Sequence, residues 1–191
     1  MPEQRQWQLL PPHLQSDMRF QMALLVAHRR IYDRWFADQP SVNPQLGFHL
    51  RGYRRNANWR ILLMLTPWML SRLLFPEQAP DIVIPQGWSA QEQQDADYQW
   101  LGPVVHLDWD EGELEAHLSY QETLGHYLLQ PLALNMRPYA SHREAFTAWD
   151  PASESRDESL QRMERKRSWQ REITRRDFPH RLVVNRTSLP D

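Results

Sequence analysis

The sequence predicts an α+β fold: an antiparallel sheet with a long N-terminal helix and shorter helices packed mainly on one face. Three observations carry this. An amphipathic segment precedes everything else, several short stretches alternate between apolar and polar residues, and one continuous apolar run, Ile61 to Leu65, suits a strand buried on both faces.

The helix comes first. Ser16 or Asp17 caps it, and it runs to about Asp38, where Pro40 ends it. Met18, Met22, Leu25, Tyr32 and Phe36 recur at steps of three, four or seven, with Leu24, Ile31 and Trp35 widening the stripe that lies across the sheet. Arg29, Arg30 and Arg34 gather toward its C-terminal end, as the helix dipole favours. Phe48 and Leu50 alternate with polar neighbours as in a strand, and 54–58 is a hairpin loop into the apolar run.

That run continues as WRILLMLTPWMLSRLLFP, Trp59 to Pro76, and its grammar changes at Thr66-Pro67. Thr is a good helix N-cap and Pro fits the first helical position, so a short helix is expected from Pro67 to about Phe75, stopped by Pro76. Beyond it, Ile82 to Ile84 and Tyr98 to Leu101 suggest short strands, and Ser89 to Asp97 a brief polar helix. Val104 to Trp109 and Leu114 to Ser119 continue an antiparallel meander, with Gly112 in the turn between them. From Thr123 to Leu134 the pattern is ambiguous, because Gly125 and Pro131 oppose a continuous helix. Ser141 opens a last helix through Phe146 toward Trp149. Residues 1–150 thus form the α+β domain, and 151–191 a polar linker and an Arg-rich C-terminal tail.

Composition removes several chemistries. The 191 residues contain no Cys, so disulfides, thiolate nucleophiles and Cys-ligated zinc or iron–sulfur sites are excluded. MPEQRQWQLLPPHLQ lacks the apolar core of a secretory signal, and the longest apolar stretch is broken by Pro67 and Arg72. A soluble, cytoplasmic protein without membrane insertion is expected.

The net charge of −2 hides a strong asymmetry. Between Leu73 and Met136 there is no Lys or Arg, yet eleven acidic residues, among them Asp108, Asp110, Glu113 and Glu115. Ser159 to Arg186 is the reverse, with nine basic residues against three acidic ones. Carboxylates around an apolar site attract a basic, apolar-flanked peptide by steering and charge-assisted hydrogen bonds.

Catalytic and metal signals are weak by comparison. His106 with Asp108, and Glu115 with His117, lie two apart on neighbouring strands and match no zinc motif such as HExxH. Solvated polar alternation is the preferred reading, and no metal is expected. Ser71 and Ser119 lack a nucleophile elbow, His126 and His142 lack an obvious partner, and there is no phosphate loop. Neither an enzyme nor a cofactor is expected.

Asn43-Pro44, Trp59, Thr66-Pro67-Trp68-Met69 and Leu74-Phe75-Pro76 together resemble the HybE/HupJ-type NiFe-hydrogenase assembly chaperones, with weaker similarity from Gly102 to about Trp149. Where that family carries a Cys-containing element, this chain reads LSYQETLGHYLLQPL. The resemblance implies a non-catalytic chaperone for hydrogenase maturation. Its partner would be a large or small hydrogenase subunit precursor, including one that bears a twin-arginine signal. Partner binding is expected at Thr66, Pro67, Trp68, Met69 and Phe75, with Asp108, Asp110, Glu113 and Glu115 nearby. The alternative is an RNA-binding or other accessory factor acting through the Arg-rich tail. Nucleic acid is the lesser expectation, because the domain itself is acidic. Thr174-Arg175-Arg176-Asp177-Phe178 resembles a twin-arginine motif but lies far from the N-terminus and precedes no apolar segment.

Overall fold

The computed structural model describes residues 6–94, 96–109 and 112–149. Six strands form one antiparallel sheet: β1 (His49–Asn56), β2 (Trp59–Thr66), β3 (Met69–Pro76), β4 (Val104–Trp109), β5 (Gly112–Gln121) and β6 (Gly125–Ala133). Their order is β1-β2-β3-β6-β5-β4, so two three-stranded meanders meet edge to edge at β3 and β6. Among the described residues three α-helices accompany them: α1 (Asp17–Ile31), α2 (Ala90–Gln94) and α3 (His142–Thr147). The α+β expectation stands.

The expected helix from Pro67 to Phe75 is a strand. Thr66 pairs with Met69 across a two-residue turn, and β2 and β3 then run in register from Leu65↔Leu70 to Trp59↔Pro76. Thr-Pro begins a tight turn as readily as a helix, because a φ near −65° suits the first loop position of a turn equally well. The Thr66 hydroxyl accepts from the Met69 N–H at 3.1 Å and donates to the Met69 carbonyl at 3.0 Å, closing the tip from both sides. β3 shows no alternation because it lies mid-sheet and is covered on both faces, which erases the period-two signal. Residues 82–84 and 98–101 carry no strand. The ambiguous segment after Thr123 is β6, and its Pro131 sits opposite Ser71 where the β3–β6 register shifts. A bulge is one of the few places where a sheet tolerates proline.

Helix α1 covers one sheet face. Ser16 caps it by accepting from the Arg19 N–H at 3.3 Å. Its buried positions are Phe20, Leu24, Ala27, His28 and Ile31. Met18 and Met22 therefore point to solvent, 74% and 58% exposed, contrary to the stripe expected from their spacing. Two interleaved stripes satisfy helical periodicity here. The one containing Phe20 wins because its ring packs edge-on against Phe75 at 4.9 Å, and Phe75 stacks on Tyr127 at 4.7 Å. At the start of the helix, buried Arg60 bonds Glu77 at 3.0 Å and the Gln15 side chain at 2.7 Å, while Arg55 bridges Asp17 and Glu77. Hydrogen bonds from Tyr53 and Arg55 hold the Asp17 carboxyl below its usual range.

On the opposite face, Trp59, Ile61, Leu74, Leu118 and Leu128 pack with Ile84 and Trp88 from the long β3–β4 connection. His126 ties this layer together. Its Nδ1 accepts from the Gln8 N–H at 2.8 Å, so its Nε2 carries the proton donated to the Trp88 carbonyl at 2.9 Å. Burial lowers its pKa, and the Gln8 N–H occupies the lone pair that a second proton would need. Gly125 precedes it at φ +80°, where a Cβ would collide with the Gln8 carbonyl.

Burial also pushes His28 down to about 4. The unfolded chain protonates this imidazole near pH 6.5 and the folded chain does not, so falling pH favours unfolding. Stability should decline by up to about 2 kcal/mol between roughly pH 6.5 and 5 through His28 alone, since each pH unit is worth roughly 1.4 kcal/mol for one proton. Urea midpoints measured across that range test this, and His28→Leu should flatten the slope. Gly125→Ala should destabilise the fold at every pH, through backbone strain and the Gln8 clash together.

Candidate binding surfaces

Trp68 stands at the hairpin tip and is 2% exposed. Phe36 stacks on it at 4.4 Å and 5°, with His28, Tyr32 and Phe48 around the same ring. Asn43 braces the tip from behind. Its N–H donates to the Pro67 carbonyl at 2.7 Å, and its side chain donates to the Met136 and Tyr139 carbonyls at 3.2 and 2.9 Å. Thr66, Pro67, Met69 and Phe75 are buried too. These five residues, expected to meet a partner, are thus brought together as interior of the β2–β3 hairpin and present no open surface.

The acidic residues are placed differently. The β4–β5 register sets Asp108 opposite Glu113, His106 opposite Glu115 and Val104 opposite His117, so all of these share one face. Asp108 and Glu113 are exposed, and Glu115 is half-buried. His106 Nδ1 lies 3.0 Å from Glu113 Oε1 across the diagonal. His117 turns inward and is buried, with its Nδ1 2.7 Å from the Gly102 carbonyl. Among the described residues no group of three or more His, Asp or Glu is arranged to hold a metal ion. Asp110 lies outside the described residues, as does the Arg-rich segment 159–186.

The serines and histidines weighed as nucleophiles and bases are sealed in or committed. Ser71 and Ser119 are 2% and 5% exposed within the sheet. His126 is engaged at both nitrogens, and His142 stacks on His49 at 4.0 Å.

A further concavity is not legible from spacing. A cavity of about 540 Å³ lies between the second half of α1, residues 93–94 and 96–99, and the β5–β6 turn. Its walls carry Arg30 and Arg34 from the helix, Asp97 and Glu122 opposite, and several glutamines. The segments forming it are far apart in sequence, and the only local signal is the Arg30/Arg34 pair one helical turn apart.

No helix among the described residues is long and apolar enough to cross a membrane. What the fold defines is an α+β protein whose Thr66, Pro67, Trp68, Met69 and Phe75 are committed to the interior. The family model described as NiFe-hydrogenase assembly, chaperone, HybE matches residues 19–180, and the chain belongs to that family. The solution structure of HybE from Escherichia coli is similar over 63% of this chain and 66% of that one, just under two thirds of its length, at 19% identity and a TM-score of 0.42. No curated protein matches the chain.

Asp108 directly opposite Glu113 is an unfavourable cross-strand pair. Asp108→Asn should therefore leave the protein as stable or raise stability by roughly 0.2–1 kcal/mol, read as an increased thermal midpoint at low salt.

Proposed function

We propose that this chain is a non-catalytic assembly chaperone that holds an immature NiFe-hydrogenase subunit in the cytoplasm, contacting a basic segment of the precursor through the β4–β5 face. A subunit whose signal peptide carries paired arginines has the required chemistry. The observation that supports this most directly is the Asp108–Glu113 opposition, flanked by Glu115. It lies in a stretch from Leu73 to Met136 that contains no Lys or Arg. Like charges facing each other across a hairpin oppose folding, and a cationic ligand relieves them on binding. Asp110, beside them in sequence, extends the same charge.

Thr66, Pro67, Trp68, Met69 and Phe75 serve binding at one remove in this reading. They set the hairpin on which α1 rests and so fix the sheet that carries β4 and β5. Loss of function after their substitution should therefore track loss of folding. Trp68→Ala should cost about 3–5 kcal/mol of stability and abolish binding together with the cooperative unfolding transition.

The direct test is Asp108→Asn, Glu113→Gln, Glu115→Gln in one chain, assayed against a purified precursor subunit with its signal attached. Affinity should fall at least tenfold and its salt dependence should flatten, with the circular dichroism spectrum unchanged. Equal affinity for the triple variant and the native chain would sink the β4–β5 assignment.

A further inference from the structure

The cavity between α1 and the β5–β6 turn is lined in part by an irregular helix end. After Ile31 the helix widens into a π-helical turn, Tyr32–Phe36, in which the Ala37 N–H donates to the Tyr32 carbonyl at 2.9 Å. Such turns are rare, locally costly and frequent at functional positions. Here the turn sends two consecutive aromatic residues to different tasks. Phe36 goes inward onto Trp68, while Trp35 lines the cavity, 37% exposed, against Tyr98 at 6.3 Å. The Arg34 guanidinium carbon lies 5.0 Å from the Trp35 ring centre.

The walls are polarised. Arg30 and Arg34 stand on the helix side, and Asp97 and Glu122 on the other, with no ion pair joining the two sets among the described residues. Gln94, Gln99 and Gln121 lie among these charges. Side-chain amides both donate and accept, which matches the alternating N–H and C=O groups of an extended backbone. A half-exposed Trp beside Arg is a typical anchor for a polypeptide, and a volume of about 540 Å³ falls within the usual range for a ligand cleft.

We infer that this cleft, formed by Arg30, Arg34 and Trp35 facing Asp97 and Glu122, binds an extended polypeptide segment carrying both charge signs, with its acidic end toward the helix. This rests on the chaperone reading for the origin of the segment, a stretch of the client away from its basic signal. The glutamine amides pair with one backbone direction, so chain direction and charge polarity together fix how that segment lies.

Two synthetic ten-residue peptides of identical composition provide the probe, one with glutamates in its N-terminal half and lysines in its C-terminal half, the other reversed. Fluorescence anisotropy with the full chain should favour one order at least fivefold. The variant Arg30→Glu, Arg34→Glu, Asp97→Arg, Glu122→Arg should reverse that preference, which no purely structural role of these side chains would produce. Trp35→Ala should weaken both peptides about tenfold. Equal binding of the two orders, or an unchanged preference in the swapped variant, would overturn the inference. The chaperone reading is separable by assaying the same variants against the precursor subunit. Native affinity in the cleft variants, with loss in the Asp108/Glu113/Glu115 triple variant, would retain that reading and remove this one.

Discussion

The stacking of Phe36 on Trp68 is the contact on which the rest depends, because it joins the end of the long helix to the tip of the β2–β3 hairpin. Trp68 is the outermost residue of a two-residue turn, a position that normally faces water. The protein instead brings the end of its longest helix over that turn and closes it with His28, Tyr32 and Phe48. The Thr66 hydroxyl and the Asn43 backbone N–H, which donates to the Pro67 carbonyl, then hold the turn in place. Aromatic pairs in offset or edge contact contribute about 0.5–1.5 kcal/mol beyond their buried area, so a cluster of this size outweighs any single polar interaction nearby.

This changes the meaning of the residues that carry the family resemblance. Asn43-Pro44, Trp59, Thr66 to Met69 and Leu74 to Pro76 read as a motif, and motifs invite a functional interpretation. Their positions are those of a brace, a turn and a core. Asn43 holds the turn by its carbonyl, Trp59 pairs with Pro76 at the far end of the hairpin, and Phe75 receives the helix. The signature is a recipe for the hairpin, while the exposed surface is written in charges that follow no tight spacing.

Legibility follows the same division. The helix start at Ser16, the doubly buried β2 and the alternation of β5 are readable, because each depends on local geometry and a single dominant face. The β3 strand is not, since Thr-Pro satisfies two backbone grammars and a central strand loses its alternation. Pro131 obscures β6 for a related reason: only the neighbouring strand reveals that it occupies a bulge. The buried face of α1 differs from the expected one because Met18 and Met22 have the right spacing but not the partner that Phe20 has in Phe75. The acids of β4 and β5 are legible as a charge imbalance, and their alignment on one face requires the register. The cleft beside Trp35 requires tertiary structure altogether.

The strand order carries a consequence for how the molecule forms. Within each meander, successive strands are neighbours and their hairpins close over a few residues. Among the strand pairings of the described residues, only that of β3 with β6 joins distant parts of the chain, from Leu74↔Leu128 to Leu70↔Ala133. Closing that seam carries most of the loop entropy, so it should be the late and rate-limiting event in folding. The same seam is where one meander could trade places with its copy in a second molecule, because the long connection from Glu77 to Pro103 already supplies the reach. Concentration-independent refolding kinetics would show that the two halves find each other within one chain before they find a neighbour.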